Sequence, residues 1–205
     1  MLNLILLVVK FQIQVQMMRT NYITIDDFKI VDVADHCAWD KLNIAIDEAL
    51  KFELPELLCE YWGLVKNTFK AENTTEEQLK LLNGTEFNCG KTTKEFLGLK
   101  DMLVYYSYAN YLINSTSNDT GLGFVKKTDQ YSIPIPMNEV EKYSKKYRNM
   151  GFAIIKQLKE YLCHNKDLTQ GYNIKFIDCG CGCESGYCDL TEKRIFVFKP
   201  KIIRR

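Results

Sequence analysis

Apolar residues recur at helical spacing in four stretches of the chain, and these predict its frame. From Asp35 to Phe52, Trp39, Leu42, Ile46, Ala49 and Leu50 fall at helical intervals, with Asp35 as N-cap. Pro55 then interrupts, which fits a break or a new helix with proline in its first turn. That next helix, about Pro55 to Phe69, sets Leu58, Tyr61, Leu64 or Val65, and Phe69 on one side. Thr74 and Glu77 have capping-box spacing and open a short helix that ends at Asn83-Gly84. Thr85 to Lys91 reads as a turn or small hairpin. Thr92 and Glu95 form a second capping box, opening a central helix that runs to about Asn114. Its apolar positions cover nearly the whole circumference, leaving Lys100, Ser107 and Asn114 as a polar stripe, so it is a buried helix with neighbours around it. The last long helix, about Asn138 to Cys163, carries Val140, Tyr143, Tyr147, Ile154, Leu158 and Tyr161 along one face.

Between the last two helices lies a polar stretch, 115–136, with few core residues and the extended piece GLGFVKKT. A connection of that length is a natural arm for a neighbouring subunit. Its apolar pair, Phe124 and Val125, followed by Lys126 and Lys127, is the expected contact. SIPIPMN, 132–138, has two prolines and cannot be a central strand. After Leu168 the pattern changes to alternation in YNIKFID (172–178) and RIFVFKP (194–200), which predicts a small antiparallel hairpin. Lys193, Arg194, Lys199, Lys201, Arg204 and Arg205 make its second strand and tail basic and bias a partner toward an acidic surface. At the other end LNLILLVV is too short to span a bilayer and has neither a basic lead nor a small-residue cleavage site. Residues 1–19 are either a first strand or an extension upstream of a true start at Met17 or Met18.

The expected architecture is mainly α: a helical bundle of about four helices over 20–168, a long extended arm loop at 115–136, and a Cys-rich β-hairpin with a basic tail over 169–205.

Gly98, Leu99, Lys100, Leu103, Tyr105, Tyr106, Tyr108, Ala109 and Tyr111 spell GLK-x-x-L-x-YYxYA-x-Y on the central helix. Thr120, Gly121, Gly123, Val125 and Lys127 follow as TGxGxVxK, with Ser132 after them. Upstream stand FELPELLCEYW (52–62) and LLNGTEF (81–87). This order resembles the head–tail connector, or adaptor ring, proteins of tailed bacteriophages, in the version of the crAss-like gut phages, over about residues 20–163. The resemblance implies a virion structural protein at the head–tail junction, repeated as a homo-oligomeric ring, commonly of twelve copies. It implies docking on the portal protein, contact with the next tail or neck ring, and a channel through which DNA passes without being read. A heterologous contact that closes by rotation is the physical form of such a ring.

Composition changes this picture little. Hydrophobic residues at 46% and charged ones at 26% are an ordinary globular balance, and a formal net charge of +1 gives no general attraction to nucleic acid. The eight cysteines matter more, because Cys179, Cys181, Cys183 and Cys188 sit together in CGCGCESGYC. Four thiolates complete a tetrahedral structural zinc site, and the interleaved glycines permit the tight turns. Cys-x-Cys-x-Cys is nevertheless cramped for three ligands on one ion, and Cys163-His164 could supply a missing one. Reduced thiols packed at an interface and a disulfide remain the other readings. A small zinc-binding interaction or regulatory protein is therefore the alternative function. No nucleophile–base order, phosphate loop or dinucleotide turn is present, and no catalytic residue or required cofactor is expected. His36 and His164 read as surface or helix-end residues, and the tyrosines at 105, 106, 108 and 111 as core and subunit contacts rather than base-stacking platforms.

Overall fold

The computed structural model describes residues 23–31, 33, 39–71, 74–89, 91–120, 123–126 and 135–174. The protein is mainly helical. A 3-10 turn (Ile25–Val31) leads to α1 (Trp39–Glu48), a π turn (Ala49–Glu53), α2 (Leu54–Leu58), a second 3-10 turn (Cys59–Tyr61), α3 (Trp62–Lys70) and α4 (Glu76–Asn83). The hairpin β1 (Thr85–Cys89) and β2 (Thr92–Phe96) follows, then α5 (Leu99–Ser115), a second hairpin β3 (Ser117–Thr120) and β4 (Gly123–Lys126), α6 (Met137–His164) and a last 3-10 turn (Lys166–Thr169).

α5 is the axis of the fold, with α6 and α1 packed along it. Leu99, Met102, Leu103, Val104, Tyr106 and Ala109 are all buried, as its all-round apolar pattern requires. α6 adds Ile154, Ile155, Leu158, Tyr161 and Leu162 to the same core. Tyr143, expected on that inward face, is half exposed. The expected polar stripe on α5 is not a solvent face either. Ser107 is fully buried, and the Asn114 amide donates to Glu48 Oε2 of α1 at 2.8 Å.

Three expected caps or continuities are corrected. Thr92–Phe96 is a strand, so no capping box forms there; α5 begins after Gly98, which holds φ at +104°. A Cβ on Gly98 would lie 2.5 Å from Gly84 N and 2.6 Å from Leu82 O, so only glycine fits this junction. α4 is opened by a capping box one residue later than expected, in which Thr75 Oγ1 accepts from Gln78 N and Gln78 Oε1 accepts from Thr75 N. The helix expected over 55–69 breaks at Cys59, whose φ is +49°. Pro55 does open a new helix, and α4 does end before Gly84.

Within the arm region the extended piece Gly123–Lys126 pairs back on Ser117–Thr120 as a hairpin. Ser117 pairs with Lys126 and Thr120 with Gly123. β1 pairs antiparallel with β2, from Thr85 opposite Phe96 to Cys89 opposite Thr92. Of the expected C-terminal hairpin, 172–174 is described. Tyr172 packs on Gly63 and its hydroxyl accepts from Asn67 Nδ2 at 3.0 Å, which seats this segment on α3. The rest of that hairpin, residues 1–19 and Asp35 lie outside the described residues.

Candidate functional site

Among the expected site residues, Cys179, Cys181, Cys183, Cys188, Lys127, Arg194, Lys199, Lys201, Arg204 and Arg205 lie outside the described residues. Phe124, Val125 and Lys126 are in β4. Cys163, considered as a spare metal ligand, is disulfide-bonded, as is Cys89, so its sulfur is not a free thiolate. His164 lies with its ring 5.7 Å from that of Phe87. Among the described residues no group of three or more His, Cys, Asp or Glu side chains could hold a metal ion. Cys59 is a free, exposed thiol whose Sγ donates to Glu56 O.

What the structure assembles instead is organised by α6, whose two sides differ. The inner side carries Arg148. Its Nε and Nη2 reach the two carboxylate oxygens of Glu53 at 3.3 and 3.1 Å. Its Nη1 donates to Ser144 Oγ at 2.7 Å, and Nη2 also donates to Asn110 Oδ1 at 2.5 Å. One guanidinium thus ties the π turn, α5 and α6 together in bidentate geometry. Glu53 is the last residue of the π turn. Both Glu53 oxygens are engaged, which makes this a structural clamp rather than a proton-transfer site. Beside it, burial pushes the Tyr106 hydroxyl well above its usual range; the Glu53 charge adds to the shift and Arg148 opposes it. Ser107 Oγ and Asn110 Nδ2 are buried without a protein partner, three residues apart on the same helix. Buried polar atoms of this kind are ordinarily met by ordered water.

A ladder of half-buried tyrosines runs between α5 and α6. Tyr105 stacks on Tyr147 at 6.3 Å, Tyr108 meets Tyr147 edge-on at 4.9 Å, and Tyr108 stacks on Tyr111 at 6.1 Å. The rings engage one another, as expected for packing. Burial raises the Tyr105 hydroxyl, with smaller contributions from the Asp101 charge and Tyr147. The outer side of α6 exposes Lys142, Lys145, Lys146 and Lys156 around Asn149, Met150 and Ala153.

A second recess lies at the base of the first hairpin, where Glu86 and Glu95 face each other across the strands with Asp101 beside them. Burial raises the Asp101 carboxyl, the Asp27 charge adds to this, and Lys100 opposes it.

The Arg148–Glu53 clamp escapes sequence reading because its partners are far apart in the chain; the only hint is a lone arginine among lysines on α6. That the tyrosines of α5 pack rather than stand free was legible from spacing; their pairing with Tyr147 was not. Among the described residues no helix is long and apolar enough to cross a membrane. No curated protein and no solved structure matches the chain. Residues 48–175, from the end of α1 through α6 to the segment seated on α3, match a family of unknown function, DUF6712, and since that is more than half of its length the chain belongs to this family.

Proposed function

We propose that this protein is a head–tail connector ring subunit that docks on a portal and leaves a channel for DNA. The observation that carries the reading is where the connector-like motif falls. Its helical half, Gly98 to Tyr111, falls on the buried axis α5, and of its TGxGxVxK half Thr120 ends β3 and Gly123 and Val125 lie in β4, between the two longest helices. A stiff bundle with a hairpin set into its one long crossover suits a part that must keep its shape while reaching a neighbour. Among the described residues the hairpin's chief contact with the body is the end of α5, and two strands alone are marginal without a second layer. Exposed apolar residues elsewhere, Phe52 at 70% and Ile44 at 56%, add surface suited to contacts between subunits.

The work of such a ring is mechanical. The Arg148 clamp and the α5–α6 interface hold one subunit shape, and heterologous contacts repeat it until the ring closes. The test is sedimentation of the purified chain with the portal protein of the phage that encodes it, at near-physiological salt. Co-migration as a ring of fixed stoichiometry is the expected result. No co-migration, together with absence of the protein's peptides from purified virions, would overturn the proposal.

A further inference from the structure

The five lysines of α6 are not neutralised by carboxylates of their own helix. Lys29, Lys51 and Lys80 each pair with a carboxylate three or four residues back in the chain. Glu139–Lys142 and Glu141–Lys145 have the same spacings, yet among the described residues Lys142, Lys145, Lys146, Lys156 and Lys159 form no ion pair. Glu160, the remaining carboxylate of α6, is taken by Lys94 at 2.8 Å. α6 therefore carries six cations against three carboxylates, a local excess inside a chain whose formal net charge is +1. A near-neutral total hides a basic face.

At about 100° per residue, Lys142, Lys145, Lys146, Asn149, Ala153 and Lys156 fall within an arc of about 100°. From Lys142 to Lys156 the row is about 21 Å long at 1.5 Å per residue. The floor between the first three lysines is uncharged, formed by Asn149, Met150 and Ala153.

We propose that this face of α6 contacts the phosphate backbone of duplex DNA without reading its sequence. The proposal rests on the ring reading above and deepens it by naming the wall that faces the channel. Three observations favour duplex phosphate. The cations are lysines, point charges without the planar fork that reads guanine edges, and the one arginine of α6 is turned inward to Glu53. The nearby rings are covered by ammonium groups: Lys146 over Tyr147 at 5.5 Å, Lys156 over Phe152 at 5.0 Å, and Lys159 over Tyr61 at 5.3 Å. They offer charge rather than the open stacking platforms that bind unpaired bases. The row is straight and set on a packed helix, which suits a stiff polyanion lying along it.

The test uses the full chain, a fluorescently labelled duplex of arbitrary sequence, and anisotropy titrations between about 50 and 200 mM salt. Wild type should bind two unrelated sequences equally, with log K falling as log salt rises at about 0.9 per phosphate contacted. The triple variant Lys142→Gln, Lys145→Gln, Lys146→Gln should lower that slope by about 2 to 3 and weaken binding at the lowest salt at least tenfold. The same change at Lys66, Lys70 and Lys91 should leave the isotherm as it is, and circular dichroism should show both variants folded. No binding by wild type, or an unchanged slope in the α6 variant, would overturn the inference. So would a variant that loses portal co-migration while keeping its DNA isotherm, since the face would then be a protein interface. Lysine-dependent DNA binding by a chain that never joins a portal would instead sink the ring reading and leave this inference standing.

Discussion

The two hairpins of this protein share a topology and differ in what covers them. In β1–β2, Phe87 and Phe96 are buried with their rings 5.4 and 5.3 Å from that of Tyr161 on α6. Lys94 reaches Glu160 at 2.8 Å, and Leu97 N donates to Gln157 Oε1 at 3.3 Å. One hairpin face is thus sealed by a helix. β3–β4 has strands of four residues and meets the body mainly at the end of α5. Two strands alone are marginal in water, so a hairpin is stable only with a second layer. The first finds that layer within its own chain; the proposed ring supplies it to the second from a neighbour.

The sharpest way to break this contrast is Phe96→Ala. Removing a fully buried ring at the hairpin–helix contact should cost about 4 kcal/mol of folding stability, read by urea unfolding. A loss under about 1 kcal/mol would mean that β1–β2 is no more anchored than β3–β4. Gly98→Ala comes next. It forces a side chain into a +104° φ against the Gly84 backbone and should cost about 3 kcal/mol, with the loss appearing in α5 amide protection as well as in the hairpin. Changing Phe124 and Val125 together to Ser should cost the monomer less than about 1 kcal/mol while weakening ring assembly. If the monomer loses its cooperative melt, β3–β4 belongs to the core and the contrast fails.

The smallest effect is a pH dependence at the base of the first hairpin. Burial raises the Asp101 carboxyl above its unfolded value, so the folded protein holds this proton more tightly than the unfolded chain. Asp101 therefore costs stability increasingly as pH rises from the ordinary carboxylate range through its own raised pKa, and the cost is complete above that. Asp101→Asn should flatten this part of the stability–pH curve. A steeper dependence in the variant would show that another group is responsible.

The fold class was legible because α5 is a long run apolar nearly all round and α6 carries a long one-sided period; α6 was expected over 138–163 and spans 137–164. The first hairpin was half legible. Thr92 and Glu95 satisfy a capping-box spacing and a strand alternation equally well, and the deciding residue, Gly98, acts through a φ that spacing does not express. Thr74-Thr75-Glu76-Glu77-Gln78 likewise offers two capping registers, and the protein uses the later one. The polar residues at every seventh position of α5 do not face solvent: Ser107 is fully buried and Asn114 meets Glu48, as a surrounded helix requires. The clamp and the lysine face depend on which carboxylates reach which cations across the fold, and a single sequence is silent on that.

Gly151 gives the α5–α6 pair information rather than energy. A Cβ there would lie 2.6 Å from the Tyr106 ring, so the two helices meet with an aromatic face pressed on bare backbone. Glycine in a helix interior costs about 1 kcal/mol relative to alanine. What it supplies is phase. Apolar repeats on two long helices would tolerate sliding by a turn, since another aliphatic pair would come into apposition. α6 has a single glycine, and only one alignment brings it beneath Tyr106. The missing side chain works as a keyway that sets where one helix stops along the other.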